Sequence, residues 1–492
     1  MIAAVDDSAS RARVLLADLV RTPSLSGSEG TVADAGSMVG KVFAAAKSHG
    51  TEVDSQTVAV GSENAIEVLR GAGGRSFVIE AHTDAVDTGE AERWHDGDPY
   101  SGADGWVEYL GRDQVALHIG SARYQAAIRP RMSRVWEGRP GDRRRRIVYG
   151  RGSFDNKGCV VSALLAMGAL AHATSTLGMQ LDGSVVAAYT VDEEDGATGI
   201  RRFAAAPDSW LATHGYLSGP RDHDDMLTGI AGVALDGSYG WVPVVGHRGG
   251  LQVAIRTRGR AAHAATPELG INAVEAMSRI VVALADGRTE IAARLDASLE
   301  TSLLGGVTIA VGTTIAGGGV KAVRMAETAH VDRTGVNAIP DWCEATLDIR
   351  FPPGRNYPAG LEETKNRVFE MVRDYIDAHI DRTMYSYEMT EIGFSWPVAM
   401  APTLERAAAL PLVQHEVRRA AQVLGRAPHL ETAPGGTDAT YMIHDARIPT
   451  IVELGPAGGL SHDVHEFVEL DSVIEGAKIL ALLAIDQLGV VG

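Results

Sequence analysis

The sequence predicts an α/β protein built on a mostly parallel, helix-covered sheet, with a second, smaller module inserted in the chain. Residues 76–81 and Ser184–Thr190 are mostly apolar runs, typical of strands buried on both faces. Residues 159–170, between these two runs, have the pattern of a buried helix. From Arg248 the pattern changes, because residues 251–256 alternate like a half-exposed strand and an amphipathic helix follows them.

The chain has 492 residues, which is too many for one compact core, so we expect at least two domains. We place the first part of the main domain at residues 1–245 and the inserted module at residues 246–398. Buried-strand and helix patterns return after that point, so residues 399–492 are expected to complete the main domain. Residues 94–147 are rich in glycine, aspartate and arginine, which predicts an excursion outside the core sheet.

Composition excludes several classes of protein. Hydrophobic residues make up 45% of the chain and charged residues 22%, as in ordinary globular proteins. The start of the chain does not resemble a secretory signal, and no uninterrupted apolar run reaches the length of a membrane span, so we expect no membrane association and a cytoplasmic location. A net charge of −18 disfavours nucleic acid as a partner. Cys159 and Cys343 cannot build a thiolate cage, so any metal must be held by His, Asp and Glu.

Imidazole and carboxylate side chains follow two of the predicted strands. His82 and Asp84 end the first strand, and residues two apart face the same side, so the carboxylate can orient a ligating imidazole. Glu193 and Glu194 follow Ser184–Thr190, at the edge where open sheets place their sites. Such adjacent carboxylates can divide metal binding and general-base catalysis between them. The alternatives are a buried structural histidine and an acidic loop that solvates a strand end.

Two further loops carry candidate ligands. Residues 149–158 form a glycine-rich turn that presents Asp155 just before a helix, and glycine allows the backbone to approach an ion closely. A phosphate-binding loop is the competing interpretation, but the residue order of that motif is absent. Residues 455–466 follow another apolar run and offer His462 and His465, each a possible ligand or an ordinary surface histidine. All of these loops are expected to lie on one rim of the sheet.

Taken in order, these segments resemble the M20 metallopeptidase and amidohydrolase family, which includes succinyl-diaminopimelate desuccinylase and acetylornithine deacetylase. The similar segments are residues 82–86, 150–158, 193–194, 435–439 and 461–466 in the main domain, and residues 259–273, 337–340 and 348–354 in the inserted module. The resemblance implies a zinc-exopeptidase-like main domain and an inserted α+β, ferredoxin-like lid domain. It also implies that the lid forms a homodimer or higher homo-oligomer.

The resemblance further implies a role for each matching residue. Asp155 would bridge two divalent cations, which are zinc, manganese or cobalt, and Glu193 would be the general base. His82 would bind one cation, and Glu194 and His462 the other. Asp84 would orient His82, and His263 would stabilise the oxyanion. The implied substrate-binding residues are Asn337, Arg350, Gly436 and Thr437. The implied reaction is hydrolysis of a C–N bond in a small anionic substrate, by default the amide of an N-acyl amino acid or small peptide.

One departure from the family pattern leaves alternatives open. Where relatives have a carboxylate, residues 216–221 hold Ser218, so the cation beside His82 is expected to lack a third ligand. Either the site is mononuclear, or Asp222 or Asp224 replaces the missing group. An altered site also admits hydrolytic deamination of an aromatic amine, as in 5-nitroanthranilate aminohydrolase. A pseudoenzyme that binds a small anion or a protein partner is the remaining, non-enzymatic alternative.

Overall fold

The computed structural model describes residue 5 and residues 9–111, 113–128, 143–205, 207–299, 306–317, 320–325, 328–333, 337–354, 357 and 360–491. The chain divides into two compact units. The first comprises Met1–Val245, Leu404–Glu431 and Thr437–Gly492, and the second comprises Gly246–Thr403 and Thr432–Gly436.

The strands of the described chain are β1 (Glu52–Ala59), β2 (Ser62–Leu69), β3 (Ser76–His82), β4 (Ala103–Gly111), β5 (Gln114–Ile119), β6 (Ala122–Ala127), β7 (Arg144–Tyr149), β8 (Gln180–Leu181), β9 (Ser184–Thr190), β10 (Ile230–Leu235), β11 (Val244–His247), β12 (Gly249–Arg258), β13 (Thr308–Gly317), β14 (Val320–Met325), β15 (Thr328–Arg333), β16 (Trp342–Phe351), β17 (Ser386–Ser395), β18 (Val398–Ala399), β19 (Glu431–Ala433), β20 (Thr450–Leu454), β21 (Gly458–Gly459), β22 (Phe467–Glu469) and β23 (Val490–Val491).

The α-helices are α1 (Ala9–Val20), α2 (Met38–Lys47), α3 (Gly158–Leu177), α4 (Thr198–Ile200), α5 (Trp210–Thr213), α6 (Ala273–Leu299), α7 (Leu361–His379), α8 (Leu404–Ala408), α9 (Pro411–Leu424), α10 (Ala439–His444) and α11 (Leu470–Leu488). Short 3-10 or π-helical turns lie at Ala91–Arg93, His95–Gly97, Ser153–Lys157, Arg201–Ala205 and Pro267–Leu269.

The main sheet of the first unit has a parallel centre. Strands β9, β3, β10 and β20 lie side by side and run parallel. Strands β1 and β2 on one side and β11 on the other are antiparallel to their neighbours. The predicted α/β class is therefore confirmed, but parallel pairing is confined to the centre of the sheet.

Helical segments cover both faces of this sheet, which explains why β3 and β9 are buried along their whole length. On one face, Val78 and Val186 join a buried cluster with Phe203, Leu211 and Met442. On the other face, α3 packs against both strands and against α11. Apolar side chains on two faces account for the mostly apolar runs in the sequence.

The buried helix α3 belongs to an unusually apolar stretch. Among the described residues, Ser153–Leu177 is the one helical stretch long and apolar enough to cross a membrane, with a mean hydropathy of 1.5 in an 18-residue window. Of that 18-residue stretch, 61% is buried inside the protein. The same length and composition are met by core helices of globular proteins, and the contacts of α3 with the sheet and α11 are those of a core helix.

Residues 94–147 contribute strands to a second, antiparallel sheet of the first unit. Its strand order is β21-β22-β7-β4-β5-β6. Strands β4–β7 therefore share this sheet with β22 and β21, two short strands from the C-terminal part of the chain. Strand β7 pairs with β22, and register places Tyr149 opposite Phe467. The excursion is therefore built into the first unit through β22.

The second unit has the βαββαβ topology of a ferredoxin-like fold. Strand order is β13-β16-β12-β17, all antiparallel, and α6 and α7 pack together beside the sheet. The hairpin β14–β15 is inserted between β13 and β16. Strand β16 alternates between buried and less buried residues, as expected for a sheet with one covered face.

An unusual buried acid lies in α9 of the first unit. The side chain of Glu416 is completely buried, and neither of its carboxyl oxygens has a hydrogen-bond partner in the described structure. Burial raises the pKa of Glu416 well above its ordinary value. The folded protein therefore binds this proton more tightly than the unfolded chain, whose glutamate releases it above about pH 4.3.

We predict that Glu416→Met raises the free energy of unfolding by about 1–3 kcal/mol at pH 7.5, because it removes an unsatisfied polar group from the core. The gain should be smaller at pH 5, because the cost of keeping the acid protonated grows as pH rises above the unfolded-state pKa. Urea denaturation at both pH values measures this, with Gln414→Met on the exposed side of α9 as control. A loss of stability at pH 7.5 would contradict the prediction.

Candidate metal centre and active site

Three neighbouring parallel strands deliver candidate ligands to one edge of the main sheet. Strand β3 ends at His82, which lies opposite Thr190, the last residue of β9. Leu235, at the end of β10, pairs with Ala81. The residues that follow β9 and β10 therefore emerge beside His82, at the carboxyl edge of the sheet.

Two clusters of possible ligands share one carboxylate. In the first, Nε2 of His82 lies 3.3 Å from Oδ1 of Asp155 and 3.9 Å from Oδ1 of Asp236. In the second, Nε2 of His462 lies 3.3 Å from Oδ2 of Asp155 and 3.1 Å from Oε2 of Glu194. Within each cluster the possible ligand atoms all lie within 4.8 Å of one another. Asp155 thus presents one oxygen to each cluster.

The expectation that the position beside His82 lacks a third ligand is wrong. Asp236 supplies that carboxylate, from the residue directly after β10. Ser218 lies in an exposed turn, where its hydroxyl donates to the carbonyl of Gly215 at 2.8 Å. Asp222 is exposed and accepts hydrogen bonds from backbone amides of its own loop, and the structure places neither it nor Asp224 in the cluster. The sequence carried the relevant signal, because an Asp-Gly pair follows an apolar run at residues 230–235.

The environment of His82 fits a bound cation. The imidazole is 2% exposed, and neither ring nitrogen forms a hydrogen bond within the described structure. Leaving buried polar atoms without partners costs about 1–3 kcal/mol each. The carboxylates of Asp155 and Asp236 face Nε2, and Oδ1 of Asp84 lies 3.3 Å from Nδ1. An imidazole and oxygen donors around one point are the donor set of a zinc, manganese or cobalt site.

Asp84 connects the His82 strand to the loop after β9. Its carboxylate accepts hydrogen bonds from the hydroxyl of Ser26 at 2.7 Å and from the backbone amides of Glu193 and Glu194 at 3.1 and 3.0 Å. Burial opposes ionisation, but contact with His82 and these hydrogen bonds keep the pKa of Asp84 below its ordinary value. Asp84 is therefore a charged anchor that fixes both the imidazole and the two glutamates.

Burial and the negative charges of neighbouring acids both disfavour ionisation of Glu193 and Glu194. Burial, reinforced by the charge of Asp155, raises the pKa of Glu194 to about 7. Burial also raises the pKa of Glu193 well above its ordinary value, with Asp438 and Asp236 adding to the effect. Such a cluster of buried acids favours a cation, because a nearby positive charge stabilises the ionised carboxylates.

A second buried glutamate positions Asp155. The carboxylate of Glu466 accepts hydrogen bonds from Arg151 at 2.7 Å and from the backbone amides of Gly152, Phe154 and Asp155 at 2.9 Å each. Gly152 has a φ of 75°, so the glycine allows the turn that brings these amides together. Glu466 was not predicted to have a role, because the sequence does not show which distant backbone groups meet its side chain.

The loop that carries His462 is held by aromatic contacts. Leu460, His462 and His465 all have φ values between 61° and 68°, in the left-handed region. Nδ1 of His465 lies 2.9 Å from the hydroxyl of Tyr149, and its ring lies against that of Tyr124 with centroids 4.1 Å apart. Of the two histidines proposed in this loop, His462 therefore meets the carboxylates, whereas His465 joins an aromatic cluster.

Three other predicted site residues, His263, Asn337 and Arg350, belong to the second unit. In the second unit, His263 is exposed and forms a β-bridge with Ala338, and the amide of Ala264 donates to the carbonyl of Asn337 at 2.8 Å. Arg350 donates two hydrogen bonds, of 2.6 and 3.0 Å, to Asp348.

The 435–439 segment contributes to both units. Gly436 belongs to the second unit and Thr437 to the first. The hydroxyl of Thr437 donates to the carbonyl of Val452 at 2.7 Å. Thr437 is therefore tied to β20, the strand beside β10.

We predict that Glu466→Gln destabilises the fold by about 3–5 kcal/mol, because it leaves Arg151 buried without its counter-charge. It should also weaken cation binding, since the Asp155 loop loses its anchor. Urea denaturation and metal titration measure the two effects. Asp471→Asn, which breaks an exposed pair with Arg146, is the control and should change stability by less than about 1 kcal/mol. Equal stability of the two variants would contradict the role given to Glu466.

Comparison with known proteins identifies the family of this chain. The model of a protein family described as peptidase family M20/M25/M40 matches residues 132–486. A succinyl-diaminopimelate desuccinylase from Cereibacter sphaeroides is 25% identical over 476 residues, which cover 95% of this chain and 96% of the relative.

Solved structures share the fold at low sequence identity. A tripeptidase from Staphylococcus aureus matches with a TM-score of 0.59 and 15% identity, over 97% of this chain and 98% of the other. A dinuclear metal-binding peptidase of the M20 family from Bacillus subtilis matches with a TM-score of 0.53 and 13% identity, over 99% and 100%. The family model spans well over half of the chain, so the predicted resemblance is confirmed and this protein is a hydrolase of peptidase family M20/M25/M40.

Proposed function

We propose that this enzyme uses two divalent cations to hydrolyse the amide bond of an N-acyl amino acid or small peptide. The observation that carries the proposal is the carboxylate of Asp155, which faces His82 with one oxygen and His462 with the other. A carboxylate with both oxygens directed at separate donor clusters is suited to bridging two ions.

The proposed ligands follow from the two clusters. His82, Asp155 and Asp236 would hold one cation, and Asp155, Glu194 and His462 the other. Zinc, manganese and cobalt all suit imidazole and carboxylate donors. When bound, the cations would lower the pKa of a coordinated water and polarise the carbonyl of the substrate.

Glu193 is the proposed general base. Its backbone amide donates to Asp84, its neighbour Glu194 belongs to the second cluster, and its carboxyl group interacts electrostatically with His82 and Asp236. Burial, with the charges of Asp438 and Asp236, raises the pKa of Glu193 well above its ordinary value. A carboxylate with a raised pKa can take a proton from the attacking water and return it to the leaving amine.

The remaining roles are proposed from the family resemblance. Asp84 would orient His82, His263 would stabilise the oxyanion, and Asn337 and Arg350 would bind the substrate. Gly436 and Thr437 would also contact substrate. A guanidinium is suited to a carboxylate-bearing substrate, and two hydrogen bonds to Asp348 fix the orientation of the Arg350 guanidinium. We also retain the homodimer and the cytoplasmic location as proposals.

Amide hydrolysis is preferred over aromatic deamination. The case for deamination came from the unusual segment 94–147 and from Ser218 in place of a carboxylate. Asp236 now offers a carboxylate beside His82, which weakens the second of these grounds. Relatives named as desuccinylases and peptidases also favour an amide substrate. Ammonia release from an aminobenzoate, without cleavage of any N-acyl amino acid, would reverse this preference.

We predict that the purified protein, stripped of metal and reloaded with zinc, manganese or cobalt, binds two ions per chain. Asp236→Asn should retain about one ion, and Asp155→Asn should bind neither tightly, because it removes the shared ligand. Mass spectrometry of metal content after gel filtration measures this, with Asp222→Asn as the control from an exposed loop. Two ions retained by Asp236→Asn would exclude Asp236 as a ligand.

We predict that Glu193→Gln lowers kcat by at least about 100-fold, because an amide cannot accept the proton, while metal content stays unchanged. Steady-state kinetics on N-acyl amino acids and metal analysis of the same sample test this. Asp195→Asn, an exposed change in the same loop, should behave like the parent enzyme. Retention of full activity by Glu193→Gln would remove this residue from the role of base.

A further inference from the structure

A cavity of about 180 Å³ in the first unit is lined by residues adjacent to three of the proposed cation ligands. Phe154 precedes Asp155, residues 237–239 follow Asp236, and residues 459–461 precede His462. The fourth wall is formed by Ala127 and Ile128, at the end of β6. A group bound in this cavity would therefore lie next to the segments that carry the proposed reaction.

The wall from β6 is tied to the segment that carries His462. A Cβ atom placed on Gly459 would lie only 3.3 Å from Cγ2 of Ile128, so this glycine allows the two segments to approach closely. Tyr124, also on β6, lies against the ring of His465, and its hydroxyl lies 2.9 Å from Nδ1 of His95. The strands added by residues 94–147 are thus fixed against this loop.

The chemistry of the walls favours a compact, uncharged group. Ile128, Phe154 and Leu460 supply apolar surface, and serine and tyrosine residues supply hydroxyl groups. Among the lining residues that the structure describes there is no lysine, arginine or histidine, and Asp463 adds a carboxylate. An acidic group would therefore find no basic side chain among these described walls and would meet the carboxylate of Asp463.

The size of the cavity sets a limit on what can enter. A cavity of about 150 Å³ in another protein accepts benzene, so about 180 Å³ admits a branched aliphatic group or a single aromatic ring. Filling such a space with apolar atoms is favourable, and each methylene group discriminates between substrates by about 10- to 200-fold.

We propose that this cavity is a specificity pocket that accepts a compact, uncharged aliphatic or single-ring group attached to the scissile amide, with the wall from β6 setting its depth. The pocket would select against a second carboxylate at this position, as in a succinyl group. This inference depends on the proposed amide hydrolysis and adds the substrate class.

The test compares two series of amides with the metal-loaded enzyme. One series varies the acyl group on a constant amino acid, as acetyl, isovaleryl, benzoyl and succinyl, and the other varies the amino-acid side chain on a constant acyl group. In at least one of the two series, kcat/KM should be at least tenfold higher for the substrate with a branched or single-ring group than for the substrate with an acidic group at the same position. A preference for the acidic member in both series would overturn the proposal.

Variants of β6 test whether this wall sets the preference. Ala127 is exposed, so Ala127→Trp should fold normally and block the cavity, lowering kcat/KM at least tenfold for the preferred large group but less than threefold for the smallest one. Ile128→Ala should deepen the pocket and shift the preference towards a larger ring system. Gln125→Trp is the matched control, exposed on the same strand and outside the lining, and should keep the parent selectivity.

The outcomes separate this inference from the proposed function. Hydrolysis of no amide in either series, with metal bound, contradicts the proposed function itself. Hydrolysis with a selectivity that both Ala127→Trp and Ile128→Ala leave unchanged, within twofold, contradicts the specificity pocket alone. Loss of selectivity in Gln125→Trp as well as in Ala127→Trp would also overturn the assignment of the pocket to this wall.

Discussion

The candidate site depends on one partly buried carboxylate that two imidazoles share. Asp155 faces His82 on one side and His462 on the other, and further acids close both clusters. Without a compensating charge, several buried carboxylates this close to one another would repel strongly. A divalent cation at this edge of the sheet would relieve that repulsion, because its charge favours the ionised form of the carboxylates around it.

Most of the surrounding structure serves to hold that arrangement. Glu466 gathers Arg151 and three backbone amides and so fixes the loop that presents Asp155. Asp84 does the same for the Glu193–Glu194 loop, because it accepts two backbone amides while facing His82. These supports use oriented hydrogen bonds, which maintain a ligand position even when the metal is absent.

Much of this could be predicted from the sequence, for physical reasons that differ between residues. His82 ends one mostly apolar strand and Glu194 follows another. Both could be recognised as candidates because parallel strands place the residues at their carboxyl ends along one edge of the sheet. Asp236 was missed because a family motif was matched to residues 216–221. Asp236 also follows directly after a mostly apolar strand, so its position carried the same information. Glu466 was missed because its partners lie more than 300 positions away in the chain. Strands β4–β7 were read as an excursion, since their exposed positions carry charged residues and break the apolar pattern.

The claim that two cations share Asp155 is tested most directly by X-ray diffraction from crystals of the manganese- or zinc-loaded protein, with anomalous data collected at the metal edge. The account requires two anomalous peaks per chain, one among His82, Asp155 and Asp236 and one among Asp155, Glu194 and His462. A single peak remote from Asp155, or two peaks that do not have this residue between them, would contradict it.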